Sequence, residues 1–416
     1  MSEFTRQPSK VAAKRFDRAL WAIVLLAFAV RLLYVLTIAP EGVHGPDAPL
    51  YDKIAWRLVT EGRYAAEDHL GGMSRASRPV LFPLVLSGVY AIFGRRVLAP
   101  QMLQCLLGAL TCGFTYLLGR EMFSRRAGIL AGVGAAIFPQ LIYYCGTLTT
   151  ETLHVFLLTC AVFLLFTGYK REAGVAWWFA GGVMLGLAAL ARSAMLGLVP
   201  LVGFWLMIAT KKKRAAVVRF ALVALGTSAA ILPWVVRNYT VFGRVVPATT
   251  EGGYTFWVTN NLKATGGGEC FLPEDTRAFE GLGELEADRL FYRMGLEFIR
   301  KNPGRFARLA AAKFVRLWRP WPHASDVGLT NAVIGGISFV PVLGLAIAGA
   351  MIAWRRRRDL LIFYCLIGYT TIVYSLYMAV TRYRAPLMPA LLVMAGFTAA
   401  RIIDRFGKAK APGEVP

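Results

Sequence analysis

Several apolar stretches of this 416-residue chain are as long as a bilayer is thick, and they leave it few ways to fold. A helix needs about 20 residues to cross the hydrocarbon, and Leu20 to Ile38 is the first such run. Inside lipid every backbone N–H and C=O must bond within the chain, which admits helices or closed barrels. The runs are continuous rather than alternating, so they predict helices. Charged residues make up 17% of the chain and hydrophobic ones 56%, whereas a soluble domain carries about a quarter charged residues. The expectation is an all-α polytopic membrane protein without room for a large soluble domain.

The net charge of +23 raises the question of nucleic acid. Its distribution answers it. The basic residues cluster between apolar runs, in Lys10 to Arg18, Arg120 to Arg126, Lys170-Arg171, Lys211 to Arg214, Arg355 to Arg358 and Arg401 to Lys410. Short loops of this kind stay cytoplasmic, so the charge describes topology and no nucleic-acid partner is expected. Placing every cluster on one side gives about ten spans: 20–38, 98–118, 127–147, 153–168, 175–191, 194–209, 217–236, 330–353, 360–380 and 385–403. Both termini are then cytoplasmic, in a multi-pass protein of the cytoplasmic (inner) membrane. The first run is read as a span and not as a cleavable leader, being too long and lacking a small-residue cleavage site. Arg31 inside it is expensive in lipid and must face protein or snorkel.

The chain divides into an N-terminal membrane module, 1–236, an outer loop, 237–326, and C-terminal helices with a short tail, 327–416. Within the module the first outer loop, 40–78, stands out. Pro49 suits a first helical position; Leu50, Tyr51, Ile54, Ala55 and Leu58 recur at helical spacing, and Gly62 suits a stop. A short surface helix with Asp47 at its start follows. Residues 79–93 are apolar but short, and are read as juxtamembrane or re-entrant, which leaves Arg95 and Arg96 outside. In the long loop, 251–288 is expected to be irregular. From Arg305 an interfacial helix is expected, with Phe306, Ala310, Phe314, Leu317 and Trp318 on one face and Arg305, Arg308, Arg316 and Arg319 on another.

This topology collects Asp47, Arg78, Glu151, Arg192, Arg237, Arg382 and Arg384 at the outer edge of the hydrocarbon. Charges there line cavities or pair with each other more often than they meet lipid. Two carboxylates among arginines suit a phosphate-bearing substrate, because guanidinium binds phosphate with a rigid fork of donors. Each has a plainer reading. Asp47 could only cap the helix, Glu151 could only complement a helix dipole, and Arg382 and Arg384 could be interface anchors. His44, His69 and His323 read as scattered surface histidines or as metal ligands. Of the cysteines only Cys270 lies in a polar loop, so neither a disulfide framework nor a zinc site is indicated.

The order of motifs resembles the polyprenyl-phosphate-dependent glycosyltransferases of the C superfamily, in particular families 39 and 83, the protein mannosyltransferases and aminoarabinose transferases. The matching features are Pro46-Asp47 with Tyr51, Gly62 and Tyr64, Arg78-Pro79, Ile92-Phe93-Gly94 and Leu118-Gly119-Arg120. Gly146 followed by Glu151, and Arg382-Tyr383-Arg384-Ala385-Pro386, complete the set. The sequence departs from the pattern at Ala48 and Ser77, where relatives carry acids. The resemblance implies a GT-C fold and inverting transfer of a sugar from a polyprenyl-phosphate donor to a lipid, glycan or protein acceptor at the outer face. It implies Asp47 and Glu151 as catalytic acids and Arg78, Arg192, Arg382 and Arg384 at the carrier phosphate. Tyr51, Arg237 and Tyr383 would line the substrate pocket. No cofactor is fixed by the residues, and a divalent metal remains open. Three other readings stay open: a glycan polymerase or ligase using diphosphate carriers, a flippase or transporter for lipid-linked glycans, and a non-catalytic assembly subunit.

Overall fold

Asp17 opens the first membrane helix, its carboxylate accepting from the Leu20 amide at 3.4 Å. The computed structural model describes residues 17–39, 41–45, 47–67, 73–267, 279, 281–322 and 328–409. Pro46, His69, Cys270 and His323 lie outside the described residues.

After α1 (Arg18–Thr37) come two short helices, α2 (Ala48–Glu61) and α3 (Leu81–Phe93), which pack on each other. A two-residue antiparallel ribbon, β1 (Ala66–Glu67) with β2 (Met73–Ser74), joins them, with Ala66 opposite Ser74. The bundle continues through α4 (Leu98–Met122), α5 (Arg125–Ile137), α6 (Pro139–Tyr143), α7 (Glu151–Lys170), α8 (Val175–Ala191), α9 (Leu198–Ala209) and α10 (Lys213–Phe242). The long loop holds α11 (Gly252–Val258), α12 (Glu284–Lys301) and α13 (Pro303–Trp318). The chain returns through α14 (Leu329–Ile352), α15 (Arg357–Leu376) and α16 (Met388–Ala409).

Among the described residues seven helical segments are long and apolar enough to cross a membrane, and the pair Arg125–Ile137 and Pro139–Gly146, bent by 54°, makes an eighth. The expected spans fall on helical segments, 127–147 on the bent pair, while 175–191 and 193–209 are shorter apolar helices. The chain is an integral membrane protein. The 79–93 segment is the 13-residue α3, too short to span.

The bend and the buried Arg31 explain each other. Pro139 has no N–H for the Ala135 carbonyl, and the break also frees that of Ala136. Arg31, fully buried in α1, supplies both: Nη2 donates to Ala135 O and Nη1 to Ala136 O, each at 3.1 Å. The arginine faces protein, not lipid. Between α8 and α10 small residues allow near-contact of backbones; a Cβ on Gly182 would strike Val223, and one on Gly226 would strike Phe179.

One end of the bundle is stitched by ion pairs among the basic clusters: Arg120 to Asp17, Arg171 to Glu121, Lys170 to Asp359 and Arg126 to Asp404. The first loop, the 146–150 turn, Arg192, the long loop and the 381–387 turn gather at the opposite end. There Asp52 of α2, buried, accepts from Tyr90 at 2.6 Å and pairs with Arg95 at 2.5 Å, which gives that arginine a partner.

Two expectations about the long loop are corrected. Within 251–288 the described residues are in part helical, in α11 and in the start of α12, whose buried face is Ala287, Phe291, Gly295 and Phe298. The face of α13 is also rotated from the expected one. Leu309, Lys313 and Leu317 are buried against α15 and the α11 region, while Phe314 is 50% exposed. Lys313 is tolerated there because Nζ donates to Asn260 Oδ1 at 2.7 Å; burial pushes its pKa down to about 7.

The arrangement makes a labelling prediction. With native cysteines replaced, single cysteines at positions 61 and 244 should react with an impermeant thiol reagent from outside intact cells. Cysteines at 212 and 357 should react only after permeabilisation. The reverse pattern would put the loop end in the cytoplasm.

Candidate active site

The first loop and the 146–150 turn are bonded before any acid is considered. Leu148 N donates to His44 O at 3.1 Å. Gly45 has φ +123°, a backbone that side-chain-bearing residues rarely adopt, and a Cβ there would meet Thr149 Cγ2 at 2.6 Å. From α4, Gln101 donates to Gly146 O at 2.8 Å and Gln104 to Thr147 O at 2.7 Å. The loops bearing Asp47 and Glu151 are thus held in register by buried amides.

Asp47 occupies the N-cap position of α2, yet its side chain makes no capping bond. Its carboxylate turns to the arginines. Arg382 Nη1 donates to Oδ2 at 2.8 Å, and Arg78 Nη1 lies 3.7 Å from Oδ1. Burial opposes its charge, but the guanidiniums of Arg382 and Arg78 outweigh that and hold the carboxyl below the usual carboxylate range. Glu151, 2% exposed, is paired with Arg192, and Arg382 Nε lies 3.8 Å from the same oxygen. Arg382 therefore bridges the two acids. Tyr383 stacks on Tyr374 at 4.4 Å, with the Arg192 guanidinium 4.6 Å from its ring centre and that of Arg382 at 5.2 Å.

These groups surround a cavity of about 580 Å³, within the range of ligand sites. Asp47, Tyr51, Arg78, Arg192, Arg382 and Tyr383 all line it. Its floor runs between membrane helices, along Leu196, Gly197, Tyr369 and Val373. Glu151 does not line it but stands behind the arginines. Two predicted members are elsewhere. Arg237 faces a separate cavity of about 1080 Å³, stacked on Trp234 at 4.8 Å and donating to Arg75 O at 2.7 Å. Arg384 turns to the other side of the 381–387 turn, where Nη1 donates to Arg319 O at 2.7 Å. Alternate residues of a tight turn point apart, and sequence proximity to Arg382 conceals this.

Sequence reasoning missed Glu251 and Glu284. Glu251 pairs with Arg78 at 2.8 Å and lines the cavity. Glu284 begins α12, and its carboxylate accepts from Ser74 Oγ at 2.7 Å, Arg75 N at 2.7 Å and Ala76 N at 2.9 Å. It also accepts from Thr250 Oγ1, while Thr250 N donates to Ala76 O at 3.0 Å. One carboxylate pins both Arg78's strap and the segment carrying Glu251. Tyr64 adds a bond to Arg78 O at 2.8 Å. No local signal could single out these two acids, since their partners are some 170–210 positions away. As for a metal, Asp47, Glu151 and Glu251 each pair with guanidiniums, and among the described residues no group of three His, Cys, Asp or Glu stands together. His44 bonds to Glu41 O.

Similarity to known proteins follows this geometry. Archaeal oligosaccharyltransferase AglB from Archaeoglobus fulgidus, in complex with an inhibitory peptide and a dolichol-phosphate, superposes with TM-score 0.59 at 15% identity, over 95% of this chain and 52% of that one. ArnT from Cupriavidus metallidurans, in its apo state, gives TM-score 0.61 at 18% identity, over 94% of this chain and 62% of that one. The chain has the GT-C fold. Residues 77–236 match the dolichyl-phosphate-mannose-protein mannosyltransferase family. An undecaprenyl phosphate-α-4-amino-4-deoxy-L-arabinose arabinosyl transferase of Pseudomonas fluorescens is 24% identical over 219 residues, 51% of this chain and 40% of that protein. The resemblance read from the sequence agrees with these relatives, and the chain spans less than two thirds of the length of each.

Two outcomes test the geometry. Glu284→Ala should raise hydrogen exchange at the Arg75 and Ala76 amides at least tenfold, about 1.4 kcal/mol, while α7 amides keep their protection. Removing one partner of a buried ion pair costs about 3–5 kcal/mol, so Arg192→Leu should lower the melting temperature in detergent far more than Asp47→Asn. Equal shifts would mean that the Glu151–Arg192 pair does not hold the site.

Proposed function

We propose that this protein is an inverting glycosyltransferase that moves a sugar from a polyprenyl-phosphate donor to an acceptor hydroxyl at the outer face of the cytoplasmic membrane. One observation carries the reading. Asp47 lies between two guanidiniums at a cavity whose floor passes between apolar helices, which suits an amphiphile with a phosphate at the join of sugar and chain. The relatives named above, one of them bound to a dolichol-phosphate, support the carrier class. The basic end of the bundle, opposite the site, supports the outer face.

In this reaction the acceptor oxygen attacks the anomeric carbon from the face opposite the phosphate. The carbon–oxygen bond to the phosphate breaks, and both its electrons leave with the lipid phosphate. Arg78 and Arg382 stabilise the charge that grows there. The acceptor proton passes to Asp47 as the new bond forms. A carboxylate held below its usual range is a weak base toward a free hydroxyl, but bonding to the sugar cation makes that hydroxyl acidic. The same charge stabilises the cation-like sugar centre. Glu151 positions Arg192 and Arg382, and Glu251 positions Arg78.

Asp47→Asn keeps shape and removes charge and proton acceptor. Purified and monodisperse, it should still bind the lipid donor and lose about 10²–10⁴-fold in transfer of labelled sugar. Activity within about tenfold of the parent would leave Asp47 no role as a base. Arg78→Ala should weaken use of the donor by about 1.5–3 kcal/mol, the worth of a charge-assisted hydrogen bond. A preference for diphosphate over monophosphate donors would instead favour a polymerase or ligase.

A further inference from the structure

Arg384 is 2% exposed, and among the described residues no carboxylate lies within ion-pair distance of it. Its Nη1 is spent on the Arg319 carbonyl, its Cζ lies 3.8 Å from the centre of the Phe339 ring, and its buried Nε has no hydrogen-bond partner. A buried cation without a counter-charge is costly, and more so beside hydrocarbon. The guanidinium lines a cavity of about 90 Å³ on the other side of the 381–387 turn from Asp47. Gln140, Thr381 and Ser338 contribute polar groups to the same cavity. Gln140 Nε2 donates to Thr381 O at 3.1 Å, and its buried Oε1 is unpartnered. Two lining residues, Tyr143 and Ile334, are 38% and 44% exposed, so the cavity reaches the surface between α6 and α14.

We infer that this cavity is a second anion site, separate from the carrier site, which takes the phosphate group of a membrane lipid entering sideways from the bilayer. Its volume of about 90 Å³ gives room for a phosphate group. The apolar approach past Ile334 and Tyr143 fits acyl chains, and the Arg384 guanidinium at the cavity fits a phosphate oxygen. Arg382 and Arg384 sit two residues apart on one 3-10 turn. Lipid phosphate held by Arg384 therefore steadies the segment that presents Arg382 to Asp47 and Glu151.

The test is photo-crosslinking of the full-length purified protein in detergent with a photoactivatable phosphatidate, followed by peptide mapping. Labelling is expected within 139–144 and 331–338, at least tenfold above that from a diacylglycerol probe with the same chains. Arg384→Gln should reduce it at least tenfold, whereas Arg78→Ala, which alters the other cavity, should leave it in place. Undiminished labelling in monodisperse Arg384→Gln would reduce the cavity to an apolar groove and overturn the proposal. If that variant does not fold, Ser338→Leu, which fills the cavity and keeps Arg384, decides: unchanged labelling overturns the proposal. Inorganic phosphate competing as well as phosphatidate would assign the site to free phosphate and refute the lipid source. None of these readouts depends on sugar transfer, so the proposed function and this site fail independently.

Discussion

A charge at the edge of the hydrocarbon cannot be left alone, and the organisation of this protein's loop end follows from that constraint. Water is too scarce there to solvate an arginine, so each guanidinium must find a carboxylate, a carbonyl or an aromatic face. Arg382 finds Asp47 and Glu151 together; Arg78 finds Asp47 and Glu251; Arg192 finds Glu151 and the ring of Tyr383. These bonds draw the first loop, the 146–150 turn, the α8 terminus, the long loop and the 381–387 turn to one place. The network that a phosphate-bearing substrate would use is the same one that assembles the loops around the cavity.

The same rule acts deeper in the membrane on neutral groups. Pro139 breaks a spanning helix and exposes carbonyls that lipid cannot satisfy. Arg31, from a different helix, answers them with two N–H groups. A helix-breaking proline and an arginine in an apolar run look like separate faults in the sequence and are one structural device. The bend they permit turns the chain into the loop that carries Glu151. Two carboxylates at helix starts, Asp47 and Glu284, are likewise diverted: neither is confined to its own helix, and each bonds to segments far away in the chain.

Spans and short loop helices were legible because their signals are local. Apolar runs of span length, prolines at helix starts and Gly62, left-handed at φ +65°, act through neighbouring residues, and the membrane helices and α2 lie where such signals put them. Asp47, Arg78, Glu151, Arg192 and Arg382 were legible as a group through sidedness, since helix alternation alone brings them to one end. The face of α13 was misread because Lys313 behaves as a core residue once Asn260 accepts its hydrogen bond, and periodicity counts a lysine as surface. Glu251 and Glu284 were missed because an acid in a polar loop carries no local sign of its distant partner.

What the sequence by itself determined is the membrane fold and the end of it at which the polar chemistry lies. Both depend on hydrophobic length and on the placement of charge between runs, which are properties of contiguous segments. What only the tertiary structure decided is which of the gathered charges share a cavity. It separates Arg384 from Arg382, puts Arg237 on another wall, sets Glu151 behind the arginines and brings Glu251 to Arg78. Those assignments turn on the direction of single side chains in tight turns and on pairings across more than a hundred residues. Electrostatic pairing depends on separation in space, and that separation exists only once the helices have packed.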